Sequence, residues 1–321
     1  MDSNTSKNTN SHKFFKLWLN YEKPAISLKN LLKQKLLLVL NLDRQSLIQS
    51  KFELLDTTLD RQLILLSLER LRSLLLSDLP SIRLGYSCPI GLILASRLQI
   101  SPDRVVEDLG NLLVQHSSSS STESSLPIYL NIDPTGWLNF YVTEQAIASW
   151  LERSLWRLKT QEDNSLLTLR KSDRAQRSDL FCVQYIHARC CSLLRLGARE
   201  KLITLVNNDF DRAGWQLTQP ESISWLDRHH LWFNESEYNL LRQLLIVTDS
   251  HTANNNGRWS KLALNLSQTT AIFLADCRFL GEIKEQYPKR AIARLGLIAL
   301  TQYWLQKILV EKLNIVAPTT V

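Results

Sequence analysis

Residues 179–195 read Asp-Leu-Phe-Cys-Val-Gln-Tyr-Ile-His-Ala-Arg-Cys-Cys-Ser-Leu-Leu-Arg, and this stretch decides the expected fold. It contains neither Gly nor Pro, so no residue type interrupts a helix. Four apolar residues recur at helical spacing and form one stripe: Val183, Ile186, Cys190 and Leu193. Tyr185, Arg189 and Ser192 fall together on a different face. The sequence therefore predicts one long amphipathic helix whose polar face carries an aromatic ring and a cation.

The same stretch resembles the first helix of the anticodon-binding (DALR-type) domain of arginyl-tRNA synthetases. The family pattern is Phe-Tyr-Val-Gln-Tyr-Ala-His-Ala-Arg-Ile-Cys-Ser-Ile-Leu-Arg. The matching residues are Phe181, Val183, Gln184, Tyr185, His187, Ala188, Arg189, Cys191, Ser192, Leu194 and Arg195. Cys182 departs from the pattern, which has Tyr at that position. The resemblance implies RNA-binding roles for Gln184, Tyr185 and Arg189, with the last two directed toward the anticodon loop of a tRNA.

A plainer interpretation of the same residues stays open. Tyr185 and Arg189 are also typical of an ordinary amphipathic pair where two helices meet, and Cys190 and Cys191 of core filling. His187 lies near the edge of the apolar stripe. We therefore expect it to be a hydrogen-bonded structural histidine rather than a metal ligand or a general base.

The composition indicates a globular, mainly helical protein of roughly two domains. The chain has 321 residues, of which 44% are hydrophobic, and only 9 are glycine. Lys plus Arg exceed Asp plus Glu by 38 − 31 = 7, and the isoelectric point is near 9.2. This basic excess permits nucleic acid as a partner but does not require it.

The cysteines and the hydropathy exclude several classes of protein. The five cysteines form no Cys-x-x-Cys pair, which favours reduced thiols in the cytoplasm and argues against structural zinc. No run of about 18 apolar residues is present, so we expect no transmembrane helix. No phosphate-binding loop or metal-ligand motif occurs either, so we expect neither a cofactor nor a metal site.

The order of patterns along the chain predicts a small α+β domain followed by a helical bundle. We expect a disordered tail over 1–25, an α+β domain over 26–158, a linker over 159–178 and the bundle over 179–321. The strand-like runs 127–133 and 137–142 flank Pro134-Thr135-Gly136, which is typical of an antiparallel hairpin. Three further runs are read as helical: residues 26–40, the Leu-rich segment 55–76, and 220–233 within the bundle.

Several motifs outside the first stretch resemble the same family. Gly136, Asn139 and Phe140 match the hairpin of its N-terminal tRNA-binding domain, Gly-Pro-Gly-Phe-Ile-Asn-Phe, and Trp137 matches it in type. The resemblance implies that Trp137 and Asn139 face the outer corner of a tRNA. Three C-terminal runs also match: Cys277-Arg278-Phe279-Leu280-Gly281, Arg294-Leu295-x-Leu297, and 313–318 against Leu-Gly-Ile-x-Ala-Pro.

The chain lacks the enzyme that separates these two regions in the synthetases. Phe140 and Phe181 are only 181 − 140 = 41 positions apart, whereas a nucleotide-binding domain needs on the order of 100–200 residues. None of the six histidines forms the His-x-Gly-His turn that stabilises the phosphates during adenylate formation. The cluster Asp227-Arg228-His229-His230 lacks a nucleophile, and we interpret it as a surface charge cluster in a helical region.

Two functions of different classes follow from the sequence. The first is a non-catalytic, arginyl-tRNA synthetase-like protein that binds tRNA, with arginine tRNA as a candidate. The second is a protein-interaction or scaffold module that has lost RNA binding, favoured by Cys182 and by a C-terminus that lacks the family's final Met. An enzyme is the third and weakest hypothesis, because no acid, base, nucleophile or metal set is assembled in the sequence.

Overall fold

The structure is a computed structural model that describes residues 14–20, 27–42, 67–70, 84–117, 125–160, 180–206, 217–228, 230–252 and 258–320. The chain divides into two compact units. The first takes its described residues from Met1–Glu22 and Leu31–Ala146, and the second from Lys23–Asn30 and Ile147–Val321. The fold is mainly α, with a small α+β module followed by a helical bundle, which confirms the predicted fold class.

The first unit is built around a five-stranded antiparallel sheet. Its strands are β1 (Phe14–Asn20), β2 (Ser67–Arg70), β3 (Leu84–Cys88), β4 (Ser125–Asp133) and β5 (Trp137–Val142), in the order β1-β4-β5-β3-β2. The predicted hairpin is β4–β5, with Asp133 opposite Trp137 and Asn131 opposite Asn139. Gly136 closes its turn at a φ of 103°, which glycine adopts without strain.

One face of this sheet is covered by helices and forms the core of the unit. Alternate residues of the strands point to this face and are buried, among them Leu17, Leu19, Tyr86, Cys88, Leu130, Leu138 and Phe140. Helices α2 (Ile90–Leu98) and α3 (Pro102–Gln115) contact the strands and each other. The inward residues of the strands, which recur every second position, and the apolar face of α3 therefore form one common buried layer.

Two elements of the first unit correct the sequence predictions. Strand β1 lies inside 1–25, which we predicted as a disordered tail, and it pairs with β4 along its whole length. Strand β2 lies inside the Leu-rich segment 55–76, which we predicted as helical. The other residues of 55–76 lie outside the described chain. In both cases pairing with a distant strand overrides the local pattern.

The domain boundaries also differ from the predicted ones. Helix α4 (Glu144–Thr160) is capped by Thr143, but from Ile147 onward it belongs to the second unit rather than to 26–158. The reason is visible in its contacts, because the Glu152 carboxylate accepts hydrogen bonds of 3.0 Å from the Ile223 amide and the Trp225 indole. The predicted linker 159–178 lies outside the described residues except for Lys159 and Thr160, which end α4.

The start of the first helix likewise belongs with the bundle. Helix α1 (Leu28–Leu42) begins after Ser27, whose hydroxyl caps it by accepting a bond of 3.0 Å from the Asn30 amide. The Ser27 hydroxyl donates in turn to the buried carboxylate of Asp249, at 2.7 Å. Ser27 is therefore the N-cap of α1, and its hydroxyl donates to a residue 222 positions away.

The second unit is a bundle organised on the stretch quoted first. Most of that stretch lies in helix α5 (Phe181–Arg199). Besides the larger part of α4, the unit also contains α6 (Glu235–Thr252), α7 (Trp259–Asp276), the short α8 (Glu282–Gln286) and α9 (Pro288–Lys307). Helix α5 packs against α9. At Gly197 a side chain would meet Leu295 at 2.8 Å, so glycine permits the close approach. None of the described helices is both long and apolar enough to cross a membrane.

Short strands replace one of the predicted helices of the bundle. Residues 220–233 were expected to be helical, but they contain a tight hairpin of β8 (Leu226–Asp227) and β9 (His230–Leu231). A second small ladder pairs β6 (Thr204–Leu205) with β7 (Leu217–Gln219). The buried side chains Ile223, Trp225, Leu231 and Phe233 occur in pairs two residues apart. This is the spacing of strands rather than of a helix.

A buried ion pair ties three segments of the bundle together. Glu237 is fully buried, and its carboxylate accepts bonds from Arg294, at 2.8 Å, and from Arg290, at 3.2 Å. It also accepts a bond of 2.6 Å from the amide of Asn234, whose side chain accepts from the Glu237 amide at 3.0 Å. These two reciprocal bonds form a capping box at the start of α6. Arg294 further donates to the carbonyl of Arg278.

Candidate nucleic-acid interface

The first candidate surface is a line of three exposed side chains on α5, which we call the helix stripe: Phe181, Tyr185 and Arg189. They are spaced by four residues and so lie on one face of the helix. Phe181 is 69% exposed and Tyr185 is 43% exposed. Arg189 is exposed as well, and it forms no ion pair within the described part of the chain. Two rings and an unneutralised guanidinium can stack on unpaired bases and attract phosphates.

The opposite side of α5 is the predicted apolar stripe. Val183, Ile186 and Cys190 are buried, while Leu193 is only partly buried. Ser192 lies on the polar side, as expected, and its hydroxyl donates to the Ala188 carbonyl at 3.0 Å. The helix therefore separates a buried face from the stripe, in the way that its sequence period predicts.

Gln184 was predicted to contact RNA, and the structure places its amide elsewhere. The side-chain nitrogen donates a hydrogen bond of 2.8 Å to the carbonyl of Val316. Val316 belongs to the C-terminal segment 314–320, which is neither helix nor strand and which we call the strap. The guanidinium of Arg195 donates to the strap as well, at the Thr319 carbonyl, with a distance of 2.8 Å.

His187 is buried, and its surroundings support the structural role that we expected. Nδ1 lies 2.7 Å from the Pro318 carbonyl, which can only accept, so Nδ1 carries the proton. Nε2 then accepts from the Gln302 amide at 3.1 Å. Burial lowers the pKa of His187 from 6.5 to about 4, an effect partly opposed by the Pro318 carbonyl. The imidazole is therefore neutral at neutral pH.

The second candidate surface is the face of the sheet opposite the helices. We call it the sheet surface and define it by the outward-pointing residues Phe14, Lys16, Trp18, Tyr129, Trp137, Asn139 and Tyr141. It contains both predicted RNA-binding residues of the first unit, Trp137 and Asn139, two positions apart on β5. Both are half-buried. The Asn139 side-chain oxygen accepts a bond of 2.9 Å from the Ser87 hydroxyl, which fixes its orientation.

The rings of the sheet surface are held by contacts with neighbouring side chains. Phe14 and Tyr141 lie with their centroids 5.6 Å apart, and the ammonium of Lys16 lies 4.7 Å from the centre of the Trp18 ring. Burial, and then the charge of Asp133, raise the pKa of Tyr141, so its hydroxyl stays protonated. Asn131, the register partner of Asn139, has a buried amide nitrogen with no hydrogen-bond partner in the described structure.

Sequence reasoning missed five residues of this surface: Phe14, Lys16, Trp18, Tyr129 and Tyr141. A signal was present, since Phe-Lys-Leu-Trp-Leu over 15–19 alternates inward Leu17 and Leu19 with outward Lys16 and Trp18. The polar residues that precede this run obscured it.

Two further sets of reactive groups are the charged cluster at residues 227–230 and the five cysteines. Asp227, Arg228 and His230 lie around the β8–β9 hairpin rather than in a helix, and all three are exposed, as a surface charge cluster would be. None of the five cysteines forms a disulfide, and burial raises the pKa of Cys88 and of Cys191 to about 12. Such thiols are poor nucleophiles at neutral pH. Within the described residues, no three His, Cys, Asp or Glu side chains are grouped as metal ligands.

No protein-family model, curated protein or solved structure matches this chain.

Proposed function

We propose that the protein binds tRNA without acting on it chemically, through the helix stripe and the sheet surface. The observation that carries the proposal is the placement of Tyr185 and Arg189. Both are exposed on one face of α5, one turn apart, over a well-packed bundle. A ring next to a cation is what an unstacked loop base and its phosphate require.

The backbone supports the resemblance to arginyl-tRNA synthetases at three positions where the family pattern has glycine. Gly136 has a φ of 103° and Gly281 a φ of 63°. At the third position this chain has Asn314, with a φ of 54°. Asn is one of the few residues other than glycine that adopt this conformation readily. In the motifs that suggest the family, the glycines and Asn314 therefore lie where the backbone has a positive φ.

A second candidate function, binding a protein partner, is favoured by the apolar character of the helix stripe. Phe181 is more exposed than Tyr185, and Val316 of the strap is 57% exposed. Affinity purification from the native cell separates the two functions. Recovery of tRNA as the main species supports the proposal, whereas a stoichiometric protein supports the alternative.

The direct test of RNA binding compares two exposed tyrosines of the same unit. We expect Tyr185→Ala to weaken binding of unfractionated tRNA by about 1–3 kcal/mol, as for the loss of one stacked base. Tyr287→Ala removes a ring that is 49% exposed outside the stripe, and we expect it to bind as the wild type does. The measurement is a filter-binding titration, with thermal melting of each variant as the control for folding. Equal affinity of the two variants contradicts the proposal.

A further inference from the structure

The strap begins at a defined helix end. After α9 the chain makes a π-helical turn over Ile308–Lys312, and Asn314 then adopts a left-handed conformation. The Ile315 amide reaches back six positions to the Leu309 carbonyl at 2.8 Å, one position further than the six-to-one bond of a Schellman cap. The cap stops the helix, and residues 315–320 continue as irregular chain that contacts α5.

Three side chains of α5 hold the strap through its backbone. The carbonyls of Val316, Pro318 and Thr319 accept bonds from Gln184, His187 and Arg195, respectively, all between 2.7 and 2.8 Å. The order is the same along both segments, so the strap runs parallel to α5. At about 100° per residue, the three donors share one flank of the helix, within about 80°. The helix stripe occupies the neighbouring flank.

His187 is the central and most constrained donor. Its ring is faced by the Cys191 thiol, at 3.9 Å, and by the Gln302 amide of α9, which also donates to Gln306 at 2.9 Å. The charged group that binds the same strap is Arg195. Because the Gln302 amide N–H donates toward Nε2, a second proton on the imidazole would point at that N–H and break the hydrogen bond. The contact with the strap therefore uses the neutral ring.

We propose that Gln184, His187 and Arg195 are positioning residues that hold the strap as one wall of the RNA site on α5. Gln184 directly precedes Tyr185, so its bond fastens exposed Val316 to the flank beside that ring. An unstacked base on Tyr185 then lies between the strap and the guanidinium of Arg189. This inference rests on the proposed RNA binding, and it assigns Gln184 to the strap rather than to the RNA.

The experiment measures the strap and the RNA separately. Carboxypeptidase digestion followed by mass spectrometry reports whether the strap is held, and tRNA titration reports the site. We expect His187→Ala to be trimmed into the strap and to bind tRNA about five- to tenfold more weakly. His187→Asn keeps an amide donor near the position of Nδ1, and we expect it to restore both properties. Gln184→Leu changes a half-exposed position, so it provides a variant with little risk to folding.

The outcomes separate the inference from the proposed function. Trimming at the wild-type rate in His187→Ala and Gln184→Leu overturns the assignment of the strap contacts. Faster trimming with unchanged tRNA affinity overturns the positioning role, even if Tyr185→Ala weakens binding. If Tyr185→Ala binds tRNA as the wild type does, the RNA site itself is rejected, and the wall inferred for it is rejected too. Loss of both trimming resistance and affinity, with rescue by His187→Asn, supports the inference.

Discussion

The two candidate surfaces of this protein lie over different interiors. Below the sheet surface the strands bury an apolar layer, with Leu130 and Leu138 fully buried. The bundle that carries the helix stripe buries a carboxylate, Glu237, and a neutral imidazole, His187. An apolar layer responds mainly to changes of shape, whereas buried polar groups respond to loss of a partner and to pH. The units that carry the two surfaces should therefore lose stability under different perturbations.

The largest expected effect comes from removing the buried carboxylate of the bundle. Glu237→Ala leaves Arg294, which is 5% exposed, without its partner. We expect the free energy of unfolding to fall by about 3–5 kcal/mol, because an uncompensated charge stays buried. Urea denaturation measures the change. Glu311→Ala is the matched control, since it removes an exposed carboxylate that pairs with the partly buried Lys307. A loss below about 1 kcal/mol for Glu237→Ala, the size typical of an exposed ion pair, would contradict this expectation.

The pH dependence of stability should distinguish the two interiors next. The pKa of His187 falls from 6.5 to about 4 on folding, so the unfolded chain binds this proton more tightly. Stability attributable to His187 is therefore constant above about pH 6.5 and decreases as the pH falls toward 4, by roughly 3 kcal/mol in total. Urea denaturation across this range provides the measurement.

Two variants test the assignment of that pH dependence. We expect His187→Asn to lose the part of the slope between about pH 6.5 and 4. Leu130→Ala cuts the apolar layer of the sheet, so it should lower stability by about 2–5 kcal/mol at every pH. A wild-type slope in His187→Asn would assign the acid sensitivity to other groups.

A smaller effect is expected on the sheet surface itself. We expect Trp137→Ala to weaken tRNA binding by about 1–3 kcal/mol and to leave the melting temperature nearly unchanged, because the ring is only half-buried. Trp156→Ala is the control, since it removes a ring that is 53% exposed on α4. The titration used for Tyr185 applies here too. Wild-type affinity of Trp137→Ala would leave the helix stripe as the sole RNA contact of the proposal.

The smallest effect concerns the charge of the helix stripe. Arg189→Gln should weaken binding uniformly across tRNA species and reduce the slope of log affinity against log salt by about 0.7–0.9, the value for one phosphate contact. Arg258→Gln removes another exposed arginine of the same unit and should leave the slope unchanged. If both variants shift the slope equally, the interaction reflects net charge alone rather than a site.

Local periodicity was enough to predict the elements that depend on near neighbours. Helix α5 follows from its apolar spacing, and the β4–β5 hairpin from a turn between two alternating runs. Strand β1 was missed because its local signal is only the short alternation over 15–19, and its partner β4 lies more than 100 positions away. In 220–233, frequent apolar residues resembled a helix, although their intervals of two residues fit the hairpin that the structure contains.

The candidate site was predictable only in part, for a similar reason. Exposure of Tyr185 and Arg189 follows from their offset against Val183 and Ile186 on α5. The position of the strap could not be predicted from the sequence. Its three contacts use backbone carbonyls, which every residue type has, so the strap's own sequence does not reveal them. Gln184 was therefore assigned to RNA on the resemblance alone, and its bond to Val316 became visible only in the structure.

The bond between Ser27 and Asp249 has a consequence for synthesis of the chain. A ribosome adds about 5–20 residues per second, so the 222 positions between them correspond to a delay on the order of 10–40 s. Throughout that interval the hydroxyl that begins α1 lacks its carboxylate acceptor, although the Asn30 amide can already donate to it. Helix α1 thus leaves the ribosome before the other described helices, but it acquires the bonds from its N-terminus to Asp249 only after residue 249 has been added.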